Sequence, residues 1–249
     1  MKKIAVYTFF FITLFPFLSA GQNQYSHLKI GFHLSPSINW MGSQNNKINS
    51  VNSRLGLHTG VVGEWYFKEH YAITSGIGFA FGIGGTLQHE LGGKYWRLSN
   101  LGDAYAEMPN EVKLRYRIQY LEIPFGLKLK TTQVGYLSYF IEPGLIFNIR
   151  TQAKGKIIGT GLPSATEIFI IKEEVNGIAL AYRLGAGGNY QINRQMSLFF
   201  GLYFQKSFTD VTNNTGIVFD PSRGYPDREP LENAIDYQNS LIFRLGIFF

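Results

Sequence analysis

Apolar and polar residues alternate along most of the chain after its first twenty residues. Because successive side chains of a β-strand point to opposite faces, this period of two predicts strands. Eight segments show the pattern, each with large apolar residues on one face and small or polar residues on the other. The predicted strands are Leu28–Trp40, Arg54–Lys68, Tyr71–Gly84, Leu114–Lys130, Leu137–Arg150, Ile178–Gln191, Gln195–Phe208 and Tyr237–Phe249.

The connections between these segments alternate in length. Short turns around KEH, TTQVGY and INR join strands two and three, four and five, and six and seven. The other connections are mostly long and cover residues 41–53, 85–113, 151–177 and 209–236. Long loops argue against a compact soluble domain, whereas outer-membrane barrels combine short periplasmic turns, long extracellular loops and an even strand number. The pattern predicts an all-β fold: an eight-stranded antiparallel up-and-down transmembrane β-barrel with both termini in the periplasm.

A soluble β-sandwich or a lipocalin-like barrel is the competing interpretation, and its inward face would be apolar. Here the face opposite the apolar stripe is rich in small residues. It carries Gly76, Gly78, Ala80 and Gly82 on the third strand, and Ala179, Ala181, Gly185, Gly187 and Asn189 on the sixth. A sandwich interior built of glycines would contain voids, whereas a barrel lumen needs small residues beside large ones. Aromatic residues near strand ends are typical of membrane barrels; they are Trp40, Trp65, Tyr71, Tyr190 and Tyr237.

The final segment, SLIFRLGIFF, has an apolar stripe on one face and Arg244 on the other. A chain terminus is usually polar and poorly ordered unless something ties it down. We therefore expect a closing strand whose stripe faces lipid and whose Arg244 faces the lumen. A final strand of alternating apolar residues that ends in Phe also resembles the C-terminal signal recognised by the outer-membrane insertion machinery. The residues of this predicted insertion signal are Tyr237, Leu241, Phe243, Leu245, Ile247 and Phe249.

The first twenty residues have the pattern of a secretory signal peptide. Lys2 and Lys3 precede an apolar run that ends at Leu18, followed by the small residues Ser19 and Ala20. Residues 1–20 are predicted to be removed, and residues 21–249 to form a single domain. Without the two lysines the formal net charge falls from +6 to +4, too small and too scattered an excess for nucleic-acid binding. The chain contains no cysteine, which excludes disulfides and thiolate metal sites.

The segment YLEIPFGLKLK, Tyr120 to Lys130, resembles a motif of the PorT-like outer-membrane barrels of the Bacteroidota. Members of that family often carry Tyr-Leu-Glu-Ile-Pro followed by a Leu-Lys pair on a central strand. KIGFHLSPSINW, FIEPGLIFNI and the final Phe extend the resemblance over the mature chain. The resemblance implies an outer-membrane β-barrel of about this size; one member is associated with type IX protein secretion. Because Pro124 has no N–H to donate, it is predicted to mark a bulge or a break in pairing.

Motifs for catalysis and cofactor binding are weak. The glycine clusters GIGFAFGIGG and GAGGNY recur inside strands and not between a strand and a helix, and HELGG lacks the second histidine of a zinc protease. Strand parity points His33 and His58 into the lumen, with Ser35 beside His33, which invites a hydrolase hypothesis. The lipid-facing stripes carry no histidine or acid, however, and the acids of the last loop lack the spacing of a calcium loop. We expect no enzyme activity, no cofactor and no metal.

Strand parity also points three acids and three bases into the lumen. These residues are Glu64, Glu122, Lys128, Glu142, Arg183 and Arg244. The free-energy cost of burying charges of a single sign away from water would be prohibitive, whereas paired and hydrogen-bonded charges are tolerated. Because the interior of an eight-stranded barrel is just filled by side chains, Arg183 and Arg244 are predicted to bridge the glutamates and close the lumen. The alternative is six solvated charges that line a water-filled pore.

The sequence thus favours a non-enzymatic barrel that acts as a structural or accessory subunit of a larger outer-membrane complex, in protein secretion or assembly. The alternatives are a narrow channel or small-ligand-binding barrel and, third, a lipid-modifying membrane enzyme. Expected partners are outer-membrane lipid, the barrel-insertion machinery and that larger complex, with no nucleic acid. In the third long loop, TEIFIIKEE either forms a hairpin with KGKIIG, which we favour, or presents an apolar patch to a partner.

Overall fold

A computed structural model describes residues 28–163, 167–219 and 232–249. The predicted signal peptide, residues 1–20, lies outside the described residues. The strands are β1 (Leu28–Ser43), β2 (Ile48–Asn52), β3 (Arg54–Lys68), β4 (Tyr71–Ile83), β5 (Thr86–His89), β6 (Gly93–Lys94), β7 (Val112–Lys130), β8 (Leu137–Ile158), β9 (Phe169–Ile170), β10 (Ile178–Gln191), β11 (Ser197–Ser207), β12 (Ile217–Val218) and β13 (Asp236–Phe248). Within these described residues, two short 3-10 helices span Asp103–Tyr105 and Lys172–Glu174. In the described part of the chain, no helix has the length and apolar character needed to cross a membrane.

Eight long antiparallel strands close into a ring, which confirms the predicted fold. Around the ring the order is β1, β3, β4, β7, β8, β10, β11 and β13, and β13 pairs with β1. Each ring strand therefore lies beside its neighbours in the chain, as up-and-down topology requires. Short turns connect the strands at one end of the barrel, which we call the turn end. The long connections lie at the opposite end, the loop end.

The bounds of β3 and β10 agree with the prediction at both ends, but β8 does not end at Arg150 and continues to Ile158. Beyond Arg150 the outward face changes from apolar to polar residues, which include Gln152, Lys154 and Lys156. A register shift opposite the step from Gln119 to Tyr120 adds one residue to β8, so that the inward residues beyond it are Ala153, Gly155 and Ile157. The strand thus projects past its apolar stretch, where the sequence no longer shows a lipid-facing stripe.

The large apolar residues face outward and the polar residues face inward. Phe125 and Leu145 are 59% and 56% exposed, whereas Lys128 and Glu142 are 1% and 2% exposed. A soluble sandwich or lipocalin-like barrel would show the reverse. Trp65, Tyr71 and Tyr190 are exposed near the turn end, as expected for an aromatic girdle. This inverted arrangement is the one that lipid requires.

Pro124 breaks the ladder between β4 and β7, as predicted, but it makes no bulge. Ser75 pairs with Phe125 and Gly78 pairs with Glu122 in one continuous register, and the two positions between them are unpaired. The Ser75 hydroxyl donates to the Pro124 carbonyl oxygen at 3.2 Å. On its other side Pro124 stays in register with Ile146 of β8. The proline thus interrupts pairing without shifting the strand.

The connections at the loop end fold into a structure of their own, which we call the cap. It comprises residues 44–53, 84–111, 159–163, 167–177, 208–219 and 232–235. Strand β5 pairs with both β2 and the first residues of β7, and β12 pairs with β6. The favoured hairpin in the third long loop is present, because Phe169 and Ile170 of β9 pair with Gly155 and Lys154 of β8. Inside the cap lies one continuous apolar cluster that includes Leu87, Leu114 and Ile157.

Gly185 makes room for the Tyr203 ring, because a Cβ atom at position 185 would lie 2.1 Å from ring carbons of Tyr203. We expect Gly185→Ala to destabilise the barrel by about 1–3 kcal/mol through overpacking. Gly63 is the matched control, because the nearest atom to a Cβ there is 3.8 Å away. Heat modifiability in detergent gels measures the effect: Gly185→Ala should lose its folded band at a lower temperature, and Gly63→Ala should not. Equal shifts for the two variants would contradict the packing argument.

Candidate functional site: a closed lumen beneath a folded cap

Glu142 is the centre of a polar cluster in the lumen. Its Oε1 atom accepts hydrogen bonds from Arg183 Nη2 at 2.6 Å and from Thr74 Oγ1 at 3.1 Å, and its Oε2 accepts from the Tyr203 hydroxyl at 2.9 Å. Arg244 Nη1 lies 3.7 Å from Glu142 Oε1. The two predicted arginines therefore meet at one carboxylate. Because water is largely excluded here, each charge depends on these protein partners.

Lys128 and Glu64 form a second ion pair, nearer the turn end, and both side chains are almost completely buried. The Tyr66 hydroxyl donates to Glu64 Oε2 at 2.7 Å. The Lys128 ammonium lies 3.8 Å from the ring centroid of Phe140 and 5.4 Å from that of Phe248. Cation–π attraction strengthens when the cation is desolvated, so the aromatic rings compensate part of the hydration that Lys128 loses.

Glu122 pairs with a histidine and not with an arginine. The distance between His58 Nδ1 and Glu122 Oε2 is 2.9 Å, and both side chains are buried. Parity placed His58 in the lumen, but it could not identify this pair, because β4 separates the two strands in the ring. Sequence reasoning also missed Tyr203 and Tyr66, whose hydroxyls complete the two carboxylate clusters. Both tyrosines face inward at about the same height in the barrel as the buried acids, and this coincidence is the sequence signal that could have revealed the two contacts.

A cavity of about 20 Å³ lies in the lumen between these clusters. It is lined by His33, Ser35, His58, Arg183 and Arg244, among others. In the described part of the chain, His58 Nε2, Arg183 Nε and Arg244 Nε are buried without a hydrogen-bond partner. The volume corresponds to about one water molecule, which needs several polar partners. One water in this cavity would accept hydrogen bonds from up to two N–H groups, such as those of Arg183 Nε and Arg244 Nε.

The Ser–His contact of the hydrolase hypothesis is present, but it lies inside the barrel. His33 Nδ1 and Ser35 Oγ are 2.9 Å apart on β1, and Ser35 is directly opposite His58 on β3. The adjoining cavity is of water size and gives no room for an acyl chain or a peptide. Across residues 28–163, 167–219 and 232–249, no three His, Asp or Glu residues are grouped closely enough to hold a metal ion.

Apolar side chains fill both ends of the lumen. At the turn end, the rings of Phe199 and Phe248 lie 4.5 Å apart and pack with Val62. At the loop end, the buried cluster of the cap lies over the barrel and includes Met41 and Ile118. The charged clusters are therefore enclosed between two apolar layers, which weakens the alternative of a water-filled pore.

The predicted insertion signal lies on the closing strand. Phe243, Leu245 and Phe249 are exposed on the outside, and Tyr237, Leu241 and Ile247 are half-buried there. The Phe249 backbone N–H donates to the Ile30 carbonyl oxygen at 2.9 Å, and its ring makes an edge contact with Phe32. The last residue is therefore tied to the first ring strand. Recognition of these residues by the insertion machinery stays a prediction.

Glu174 connects three segments of the cap. Its carboxylate accepts hydrogen bonds from the Leu98 backbone N–H at 2.6 Å and from the Thr215 hydroxyl at 2.8 Å. Its carbonyl oxygen accepts from the Asn213 N–H at 2.8 Å. Because Glu174 is 1% exposed, losing these donors would leave a desolvated charge. The carboxylate thus ties together the second, third and fourth long connections.

Glu232 is a second, mostly buried acid of the cap, and its pKa is raised to about 8 by burial and by the charges of Asp236, Asp210 and Glu174. His89 lies beside it, with Nδ1 3.6 Å from Glu232 Oε1. Burial lowers the pKa of His89 to about 4. Near neutral pH the two side chains are therefore both uncharged. Three other acids of the last long connection, Asp220, Asp227 and Glu229, lie outside the described residues.

We expect Glu142→Gln to destabilise the barrel by about 3–5 kcal/mol, because it leaves two buried arginines without their anion. Tyr203→Phe is the control, since it removes one hydrogen bond to the same carboxylate and should cost about 1–3 kcal/mol. Arg244→Ala should cost less than Glu142→Gln, because Glu142 keeps Arg183, Thr74 and Tyr203. Urea unfolding in lipid vesicles gives the three free energies. A loss for Glu142→Gln no larger than that for Tyr203→Phe would contradict the assigned role.

The cap should loosen at alkaline pH. A carboxyl whose folded-state pKa lies above the ordinary 4.5 stabilises the fold most below pH 4.5, and this contribution is lost as the pH rises through about 8. Hydrogen-exchange protection of β5, β6 and β12, taken relative to the intrinsic exchange rate at each pH, should therefore fall across that range. Glu232→Gln should remove most of this fall, whereas Glu107→Gln, at an exposed carboxylate of the cap, should retain it. An unchanged response in Glu232→Gln would exclude this group as the cause.

Comparison with known proteins places the barrel in a family. A family model described as "Outer membrane protein beta-barrel domain" matches residues 20–213. One similar solved structure is Neisserial surface protein A, with 9% identity and a TM-score of 0.41 over 88% of this chain and 95% of that one. A second is a major outer membrane protein from Thermus thermophilus, with 14% identity and a TM-score of 0.42 over 88% of this chain and 99% of that one. A third is the outer membrane protease OmpT from Escherichia coli, with 7% identity and a TM-score of 0.35 over 93% of this chain and 99% of that one. No curated protein is similar in sequence. Since the matched region covers most of the chain, this protein belongs to the outer membrane protein β-barrel domain family, and its strands cross the outer membrane.

Proposed function

We propose that the protein is a closed, non-enzymatic barrel that holds a folded cap at the cell surface and serves as an accessory subunit of a larger outer-membrane complex. The observation that carries this proposal is the occupied lumen, in which paired charges lie between two apolar layers. In this proposal both termini are periplasmic and the cap is extracellular. The resemblance of YLEIPFGLKLK to PorT-like barrels supports a complex that acts in protein secretion or assembly.

The lumen supports a scaffold better than a narrow channel. An ion that crosses it would have to separate Arg183 from Glu142 and Lys128 from Glu64, pairs whose members are at most 8% exposed. Breaking buried pairs costs several kcal/mol for each pair. The ion would also have to pass the aromatic layer at the turn end and the cluster in the cap. A small-ligand site is disfavoured because the cavity is of water size.

The cap offers a surface to a partner. Ile168 and Ile170 are 56% and 73% exposed, and β9 lies at one edge of the extended sheet. Exposed apolar residues on a rigid support and an unpaired strand edge are both features of protein-binding surfaces. These features support a partner surface on one face of the hairpin, which was the second interpretation of TEIFIIKEE.

Planar bilayer recordings test the closed lumen. The purified protein should give little or no steady conductance, because its buried pairs and apolar layers leave no wide aqueous path. An open porin in the same bilayers checks that insertion is detected. Large, stable single-channel currents from the unmutated protein would overturn the scaffold and favour the channel.

Blue-native gels of mildly solubilised outer membranes test the accessory role. The protein should migrate as part of a large stable species, and Ile168→Asp with Ile170→Asp should release it as a monomer. Val51→Asp is the control, because Val51 is an exposed apolar residue elsewhere in the cap. A lone monomer from unmutated membranes would count against the accessory role while leaving the closed lumen intact.

A further inference from the structure

The outer face of β7 and β8 carries a group of basic residues at the loop end. We call it the basic strip; it consists of Lys113, Arg115, Arg117, Lys154 and Lys156. All five occupy positions that alternate with buried residues such as Leu114, Tyr116 and Ala153. Their side chains therefore lie on the outside of the barrel, on two adjacent strands. The strip is thus a surface feature, separate from the charges of the lumen.

The strand register places like charges directly opposite one another in the strip. Arg117 pairs with Lys154, and Arg115 pairs with Lys156. Like charges at opposite positions of a ladder are destabilising. Among the described residues, no acid forms an ion pair with any member of the strip. Nearby Glu111 instead accepts a hydrogen bond from Gln88. Nothing in the described structure compensates this repulsion.

Two other cations near the loop end have partners. The Lys206 ammonium lies 4.2 Å from the ring centroid of Tyr237, and Lys94 lies 3.7 Å from Glu107. Arg54, Arg97 and Lys172 form no ion pair among the described residues either, but they lie on three different segments. The five cations of the strip differ from them in lying side by side on one pair of ring strands. This clustering argues against a general solubilising function, which would distribute the charge around the rim.

The strip continues directly from the lipid-facing surface. Moving toward the loop end, the outward residues of β7 are Ile123 and Leu121, then Gln119, and then Arg117. On β8 they change from Ile149 through Gln152, which is opposite Gln119, to Lys154 and Lys156. Both strands therefore pass from apolar to amide to cationic side chains at the same height. This order of side-chain types matches the change from acyl chains to polar headgroups at a membrane surface.

We propose that the basic strip binds the phosphate groups of an anionic glycolipid of the outer membrane, with its acyl chains against the apolar outer face of β7 and β8. Arginine donates paired hydrogen bonds that match phosphate oxygens. From Lys113 to Arg117 the strip extends about 13 Å along the strand. Five cations over that length exceed what one monophosphate headgroup can neutralise, so the ligand carries more than one phosphate.

Native mass spectrometry of the full chain in neutral detergent tests the site, with bisphosphorylated lipid A as the probe. Neutralising two interfacial charges changes membrane affinity by roughly 30-fold. Arg117→Gln with Lys154→Gln should therefore weaken lipid A binding by about that factor. The matched control is Arg97→Gln with Lys172→Gln, which makes the same change in charge at exposed positions of the cap. This control should bind lipid A as the unmutated protein does, and dephosphorylated lipid A should bind weakly to all three.

Thermal unfolding separates lost binding from lost folding. In neutral detergent, Arg117→Gln with Lys154→Gln should unfold at a temperature no lower than the unmutated protein, because the substitution removes repulsion. Only the unmutated and control proteins should be stabilised when bisphosphorylated lipid A is added. Equal lipid A binding by the strip and control variants would overturn the site. Equal stabilisation by inorganic phosphate or a soluble sulfated polysaccharide, at matched anion concentration, would overturn its assignment to a lipid.

Discussion

Compensation of buried charge in the lumen is the constraint on which the rest of this barrel depends. The strands expose large apolar residues to lipid, so their polar residues must face an interior that eight strands leave little room to hydrate. Glu142 satisfies this constraint by accepting from Arg183, Tyr203 and Thr74 at once. A single unpaired carboxylate here would cost several kcal/mol. Each partner that is removed therefore lowers the free energy of unfolding of the barrel.

Side-chain volume is distributed around the ring to allow these pairs. Gly185 lies beneath the ring of Tyr203, and Gly246 beneath that of Phe199. A larger residue at either glycine would displace an aromatic ring that contacts a buried charge, because Tyr203 bonds Glu142 and Phe199 lies 5.7 Å from Arg244. The glycines that argue against a sandwich core in the sequence thus have a specific use. They let large residues on neighbouring strands cross the lumen.

The period of two predicted the strands, their inward and outward faces and the residues that enter the lumen, because all of these follow from local alternation. Local alternation does not predict which of these residues pair within the lumen. His58 and Glu122 lie on strands that are not adjacent, so their contact depends on the closure and stagger of the ring. Apart from the hairpin of β8 and β9, the cap was beyond prediction for a similar reason. Glu174 joins backbone and side chains from three connections with no common period in sequence.

The unusual length of two ring strands links the membrane part to the cap. A transmembrane strand needs about 9–11 residues, whereas β7 has 19 and β8 has 22. The additional residues on the inner face, such as Leu114 and Ile157, form the floor of the cap cluster. The outer face of the same extension includes Arg115 and Lys156, which the ladder holds opposite each other despite their repulsion. One extension of the ladder therefore does two things: it anchors the cap from within, and it holds cationic charge at the level where lipid headgroups begin.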